Sequence, residues 1–459
     1  MLAKNKPGNK SRDKRPIYPK KPSGKLYTYR KWVSYILLLF LFSCPFLKLN
    51  GEQLVLLNFI ERKFVFFGLI FTPQDFYLFA LAMLIFIIFI VCFTVVLGRL
   101  WCGWACPQTI FMEMVFRRIE YWIEGDANRQ KKLDEGTWTA EKVWKKGSKH
   151  FIFLIISFAI ANTFLAYMIG SDVLFKIITE PIAQHVSGFI PIWLFTFIFY
   201  GVFAYVREVV CTVICPYGRL QGVLLDNQSL VVAYDFTRGE PRGHMQRNVP
   251  ENQQGDCIDC GLCVQVCPTG IDIRQGTQLE CVNCTACIDS CNEVMLKVGK
   301  PKNLIGFFNQ DFIAERKPYK VALKSYGYAA VLLVVLMVFS SLIYKRENIQ
   351  TTVLRASGTL YQNRGTDKTS NLYNAELVNK TNKDVKFTFR PQDSNDEIDF
   401  IQKPTVLPKE GTAHLTFFLI RKNGSIKKYK TDAVFEVIAN GEVVSTATTS
   451  FFAQQEGND

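Results

Sequence analysis

Five long apolar runs, at about 32–47, 76–98, 151–170, 189–206 and 326–344, constrain this chain more than any other feature. Each is almost free of charge, and a helix needs ~20 such residues to cross a ~30 Å hydrocarbon layer. Lipid also demands that backbone polar groups be satisfied within the segment, which helices do. The expected architecture is therefore an α-helical transmembrane bundle of about five spans. A sixth apolar stretch, 53–71, is interrupted by Glu61, Arg62 and Lys63 and reads as interfacial or re-entrant.

The formal charge of +14 could suggest nucleic acid, but its distribution excludes that reading. Residues 1–31 hold eleven Lys/Arg against one acid, Asp13, directly before the first run. The loop after the first run offers only Lys48, Arg62 and Lys63, whereas 107–150 is again basic. By the positive-inside rule this is a cytoplasmic tail at 1–31, with spans 1–4 in 32–206. Segment 207–325 is then inside, and an odd number of spans carries 346–459 outside.

The two soluble segments differ in chemistry. Segment 207–325 contains ten of the fourteen cysteines, and 346–459 contains none. The latter alternates apolar and polar residues, as in "DVKFTFR" and "AHLTFFLI", and carries Asn423-Gly424 and Asn440-Gly441 between such runs. Asn-Gly is a strong hairpin signal, so about seven short strands in an immunoglobulin-like β-sandwich are expected.

Cys257, Cys260, Cys263 and Cys267-Pro268 follow C-x2-C-x2-C-x3-C-P, and Cys281, Cys284, Cys287 and Cys291 repeat the spacing with Asn292 in place of proline. Three thiolates so spaced wrap one corner of an iron–sulfur cube, and the fourth reaches the neighbouring cube. The expected ligand sets are Cys257, Cys260, Cys263 and Cys291 for one [4Fe–4S] cluster, and Cys267, Cys281, Cys284 and Cys287 for the other. Structural zinc also uses C-x2-C pairs, but needs four ligands rather than an interleaved eight. Gly261 suits close approach of backbone amides to the cluster. This is an inserted bacterial dicluster ferredoxin-like domain, about 248–300.

Two sparser pairs, Cys102/Cys106 in "CGWACP" and Cys211/Cys215 in "CTVICP", each follow a span that runs inward. Four residues apart on a helix, both thiols of a pair share one face. Both pairs fall at the same membrane depth and can converge into one four-thiol site, suited to Cu(I) or to a further redox centre. Arg99 and Arg207 precede the pairs and suit headgroup anchoring more than thiolate stabilisation. Met112 and Met114 fit interfacial packing better than copper ligation, and Cys44 and Cys92 read as packing residues.

The basic tail, five spans, "CGWACP", "CTVICP", the dicluster insert and the external sandwich together resemble the cytochrome c oxidase accessory family CcoG, also called FixG or RdxA. The resemblance implies a bacterial cytoplasmic membrane, with the ferredoxin domain cytoplasmic and the C-terminal domain periplasmic. It also implies a role in assembly of cbb3-type cytochrome oxidase, with Cu(II) reduced to Cu(I) for the oxidase's copper centre. Oxidase subunits or copper chaperones are the implied partners, besides membrane lipid and an electron donor. The chain has no G-x-G-x-x-G fingerprint, so that donor is expected to be a separate molecule. A membrane ferredoxin of NapH type, relaying electrons from a quinol or soluble donor, is the alternative.

Overall fold

The computed structural model describes residues 17–454, apart from 50, 72–74, 182–185, 245–253, 357, 359, 366, 403, 427 and 440. The first half of the basic tail therefore lies outside the described residues. The chain divides into two compact units, one of Met1–Cys44, Met83–Ala166 and Ser171–Leu336, the other of Pro45–Ala82, Tyr167–Gly170 and Met337–Asp459.

Four described helices are long and apolar enough to cross a membrane: Phe76–Leu97, Ala140–Ile169, Gly188–Val206 and Leu323–Tyr344. The run at 32–47 behaves differently. It belongs to a helix Lys25–Ser43 whose first turns carry Lys25, Arg30 and Lys31, followed by a 3₁₀ turn Cys44–Phe46. Arg30 is 1% exposed, and its Nε donates to the Gly103 carbonyl at 2.7 Å. Arg30 of this basic stretch is thus packed into protein while Lys25 stays exposed, which the tail reading did not foresee.

In the first unit, a strand Val231–Tyr234 pairs antiparallel with Ile305–Phe308, Val231 opposite Phe308, and so joins the two ends of the cysteine-rich segment. Between them lie a short helix Leu262–Gln265 and a longer one, Ala286–Lys297. Their core is Val232, Ile273, Ile288, Met295, Leu304 and Ile305, packed against the cysteines themselves.

The second unit contains the sandwich. One sheet runs in the order Glu397–Gln402, Thr412–Lys422, Lys368–Asn379, Ile349–Arg355, with Gln362–Arg364 also on Lys368–Asn379. The other runs Val406–Leu407, Val385–Pro391, Lys430–Ala439, Glu442–Phe452. Alternate residues face inward, and Tyr373, Phe417 and Phe435 are fully buried at the centre. Glu442–Phe452 follows Lys430–Ala439 as a hairpin, with Gly441 at φ 88°; Asn440 lies outside the described residues. Asn423-Gly424 forms no hairpin, because it sits in a 3₁₀ turn linking strands of different sheets.

The stretch 53–71 does not span as a helix but forms three antiparallel strands, Val55–Asn58, Lys63–Phe66 and Leu69–Phe71. Glu61 and Arg62 sit in the turn, and Lys63 bonds Glu52 at 2.8 Å and Glu410 at 2.6 Å within the same unit. There too Asp75, 1% exposed, holds Arg346 and Lys380, each at 2.6 Å.

Candidate redox centre

The two cysteine runs fold as near copies. Asp259 and Asn283, each just before the second cysteine of its run, have φ 52°, and Gly261 and Thr285, each just after it, have φ 67° and 65°. Left-handed backbone is unfavourable for a β-branched residue such as Thr285, and such strain clusters at functional loops. The same left-handed backbone favours glycine at Gly261, which lines the pocket of Cys257, Cys260, Cys263 and Cys291.

The loops enclose two cavities of nearly equal size. One is lined by Cys257, Cys260, Cys263 and Cys291, the other by Cys263, Cys267, Cys281, Cys284 and Cys287, and each has about 20 Å³ of free space. Cys291, from the second run, thus stands with the first three thiols of the first run, and Cys267 stands with the second. Among the described residues no three His, Cys, Asp or Glu side chains stand close enough to share a single metal ion. Two adjoining groups of thiols drawn from interleaved runs suit a pair of cubes better than zinc.

Burial pushes the Cys281 and Cys291 thiols up to about 12 and those of Cys263 and Cys284 up to about 11, and raises Cys287 well above its usual value. Thiolates in so dry a site need metal charge beside them, which deprotonates a coordinating thiol outright. Asn292 is explained by position. It lies inside Ala286–Lys297, where proline would remove a helical hydrogen bond, and its Oδ1 accepts from the Asn303 backbone at 2.7 Å.

The pairs do not lie on continuous α-helices. Cys102 is in a short helix Leu100–Trp104, while Cys106 has extended backbone and caps the next helix, with Pro107 as its first residue. Cys211 is in a π turn Val210–Ile214, and Cys215 likewise caps Pro216–Leu224. In each pair the proline starts a helix, where its missing N–H costs nothing. The two pairs meet, with the Cys102 thiol 3.2 Å from Gln221 Oε1 in the second pair's helix. Burial pushes Cys102 up to about 12 and Cys211 up to about 11.

The two centres adjoin. A Cβ on Gly103 would collide with the Val282 carbonyl and stand 3.0 Å from that of Asn283, and Cys102 packs against the group formed by Val282 and Cys284. Arg99 is 5% exposed and donates to the carbonyls of Leu279 and Gly218, so it is no headgroup anchor. Arg207 bonds Glu120 instead of lipid. Met112 and Met114 are buried, Met112 in an aromatic core with Phe111, Phe116 and Phe203.

Comparison with known proteins decides the family. A 4Fe-4S dicluster domain model matches 206–310, a 4Fe-4S binding domain model matches 79–129, and a model of the IG-like fold at the C-terminus of FixG matches 339–454. Protein RdxB of Cereibacter sphaeroides is 34% identical over 80% of this chain and 79% of its own length. The chain belongs to the FixG family. Protein RdxA of the same organism is 36% identical over 64% of this chain, and nitrogen fixation protein FixG of Rhizobium meliloti 37% over 64%. The chain spans 62% of that RdxA and 57% of that FixG. A crystal structure of a FixG-related protein from Vibrio parahaemolyticus matches 24% of the chain and 99% of its own at 17% identity and a TM-score of 0.21, too loosely to carry an argument. The dicluster domain of this FixG-family chain carries two [4Fe–4S] clusters.

Proposed function

We propose that this protein takes electrons from an external low-potential donor and delivers them through its ferredoxin domain to the membrane-edge thiols, reducing Cu(II) to Cu(I) during assembly of a cbb3-type cytochrome oxidase. The observation that carries the route is the packing of Gly103 and Cys102 directly on the Cys281–Cys284 loop. Bound clusters supply one-electron exchange. Cys257, Cys260, Cys263 and Cys291 hold one, and Cys267, Cys281, Cys284 and Cys287 the other. The surrounding side chains, Ile273, Ile288 and Met295 among them, keep water from both. Each Cu(II) takes one electron and leaves as Cu(I), and the outside donor replaces that electron.

In this reading the ferredoxin domain is cytoplasmic, which the lysine and arginine asymmetry supports, and the sandwich beyond the helix Leu323–Tyr344 is periplasmic, available to oxidase subunits or a copper chaperone. The test is an anaerobic assay of purified, pre-reduced protein with Cu(II) and a Cu(I)-specific chelator. Stoichiometric Cu(I) supports the reading, and none overturns it. The match of a 4Fe-4S binding domain to 79–129 favours one second reading, a membrane ferredoxin that hands its electrons to another acceptor.

A further inference from the structure

The elements that carry the membrane-edge thiols, and those packed against them, hold buried donors that lack acceptors among the described residues. Gln221 Nε2, beside the Cys102 thiol, has no partner among the described residues, nor do Trp104 Nε1 and Gln108 Nε2 in and just after the first pair. On the side toward Cys281–Cys284, the same holds for Arg30 Nη2, Arg99 Nε and Asn283 Nδ2. Gln221, Arg30, Arg99 and Asn283 are each at least nine-tenths buried. A buried N–H without an acceptor costs about 1–3 kcal/mol, so Gln221 Nε2 beside the Cys102 thiol and Arg99 Nε beside the helix of Gln221 indicate something that accepts hydrogen bonds there.

Charge gives the same answer. Arg30 and Arg99 bond only backbone carbonyls, those of Gly103, Leu279 and Gly218, and no carboxylate among the described residues pairs with either. Arg99 acts electrostatically on both Cys102 and Cys281, and Arg30 on Cys284. Two buried cations between two sets of thiols call for substantial negative charge on both sides. A lone copper ion brings positive charge and no acceptor, and no three of the thiols stand close enough to share one ion. An iron–sulfur cube with four thiolates is anionic, and its sulfides accept N–H bonds that help set its potential.

We propose that Cys102, Cys106, Cys211 and Cys215 hold a third iron–sulfur cluster, its charge balanced by Arg30 and Arg99, which stand between it and the Cys281–Cys284 loop. This rests on the relay reading only for its place in the electron path. Copper is then a substrate that meets the far end of the path, and the thiols are not its ligands.

Iron and acid-labile sulfide are measured on the full chain, purified in detergent and reconstituted anaerobically. About twelve of each per chain are expected, against about eight for two cubes. Cys106→Ala and Cys215→Ala should each lose about four, with no further loss in the double variant, because a cube missing one ligand is lost as a unit. Eight in the unaltered chain overturns the proposal, as does a count of twelve that both variants retain. Cys211→Ser serves as a second variant should an alanine chain fail to fold, with the same loss expected. Twelve iron atoms without Cu(II) reduction would keep the third cluster and discard the copper substrate; eight with full reduction would do the reverse.

Discussion

The cavity of Cys257, Cys260, Cys263 and Cys291 and the membrane-edge site of Cys102, Cys106, Cys211 and Cys215 are both built of four thiols, yet their charge surroundings are opposite. Beside the first, Arg274 is tied to Asp272 at 2.7 Å and to Asp259, so its charge is spent locally. Beside the second, Arg30 and Arg99 meet only backbone carbonyls and keep their full charge. Positive charge favours the reduced state of a nearby centre. For the proposed third cluster, the contrast predicts a potential above that of the ferredoxin cavity, with electrons running downhill toward the membrane edge.

The strongest way to break the comparison is to remove a ligand on one side only. Cys291→Ser should damage the centre at Cys257, Cys260 and Cys263, with about four iron atoms per chain lost and the others kept. Loss confined to the second cavity would refute the interleaved assignment. Next in size is the close approach between the centres. Gly103→Ala drives a methyl into the Val282 carbonyl and should cost about 1–3 kcal/mol, with slower Cu(II) reduction at unchanged iron content. An unaltered rate would show that the contact is not on the electron path.

A gentler change tests the charge itself. Arg99→Gln should make the potential of the adjoining centre more negative in an anaerobic redox titration, while Arg99→Lys largely restores it. Equal shifts in both variants would assign the effect to packing. The centre beside Arg274 should not move in either.

The second unit offers a control outside the path. Burial alone would raise the Asp75 carboxyl, but the bonds from Arg346 and Lys380 outweigh this and hold it below its usual 3.8. Such a group stabilises fully above the unfolded pKa, and that contribution is lost as pH falls below about 3.8 through the depressed folded value. Asp75→Asn should therefore destabilise this unit by about 3–5 kcal/mol at neutral pH and flatten its acid sensitivity. Calorimetry on the full chain would show it, with cluster absorbance unchanged.

What was legible in the sequence follows from range. The eight ferredoxin cysteines were readable because their spacing along the chain itself sets how they wrap two voids. The sandwich was readable from its period of two, though Asn423-Gly424 misled because a turn's local chemistry does not say which sheet the next strand joins. The strands at 55–71 hid behind their apolarity; a charged turn, Glu61 to Lys63, between two short β-branched and aromatic runs was the available signal. Arg30 could not be found from sequence. Its partner Gly103 lies 73 residues away, and a cation within a basic tail gives no local sign that it will be buried.

The most direct test of the route mixes anaerobically reduced protein with Cu(II) and follows cluster oxidation over time, comparing the unaltered chain with the Cys106→Ala/Cys215→Ala double variant. Both proteins must first be shown to keep the two ferredoxin clusters. The account predicts that those clusters oxidise promptly in the unaltered chain and stay reduced in the double variant, with Cu(I) formed only by the former. Equal oxidation rates and equal Cu(I) yields would contradict it, placing copper reduction at the ferredoxin domain itself.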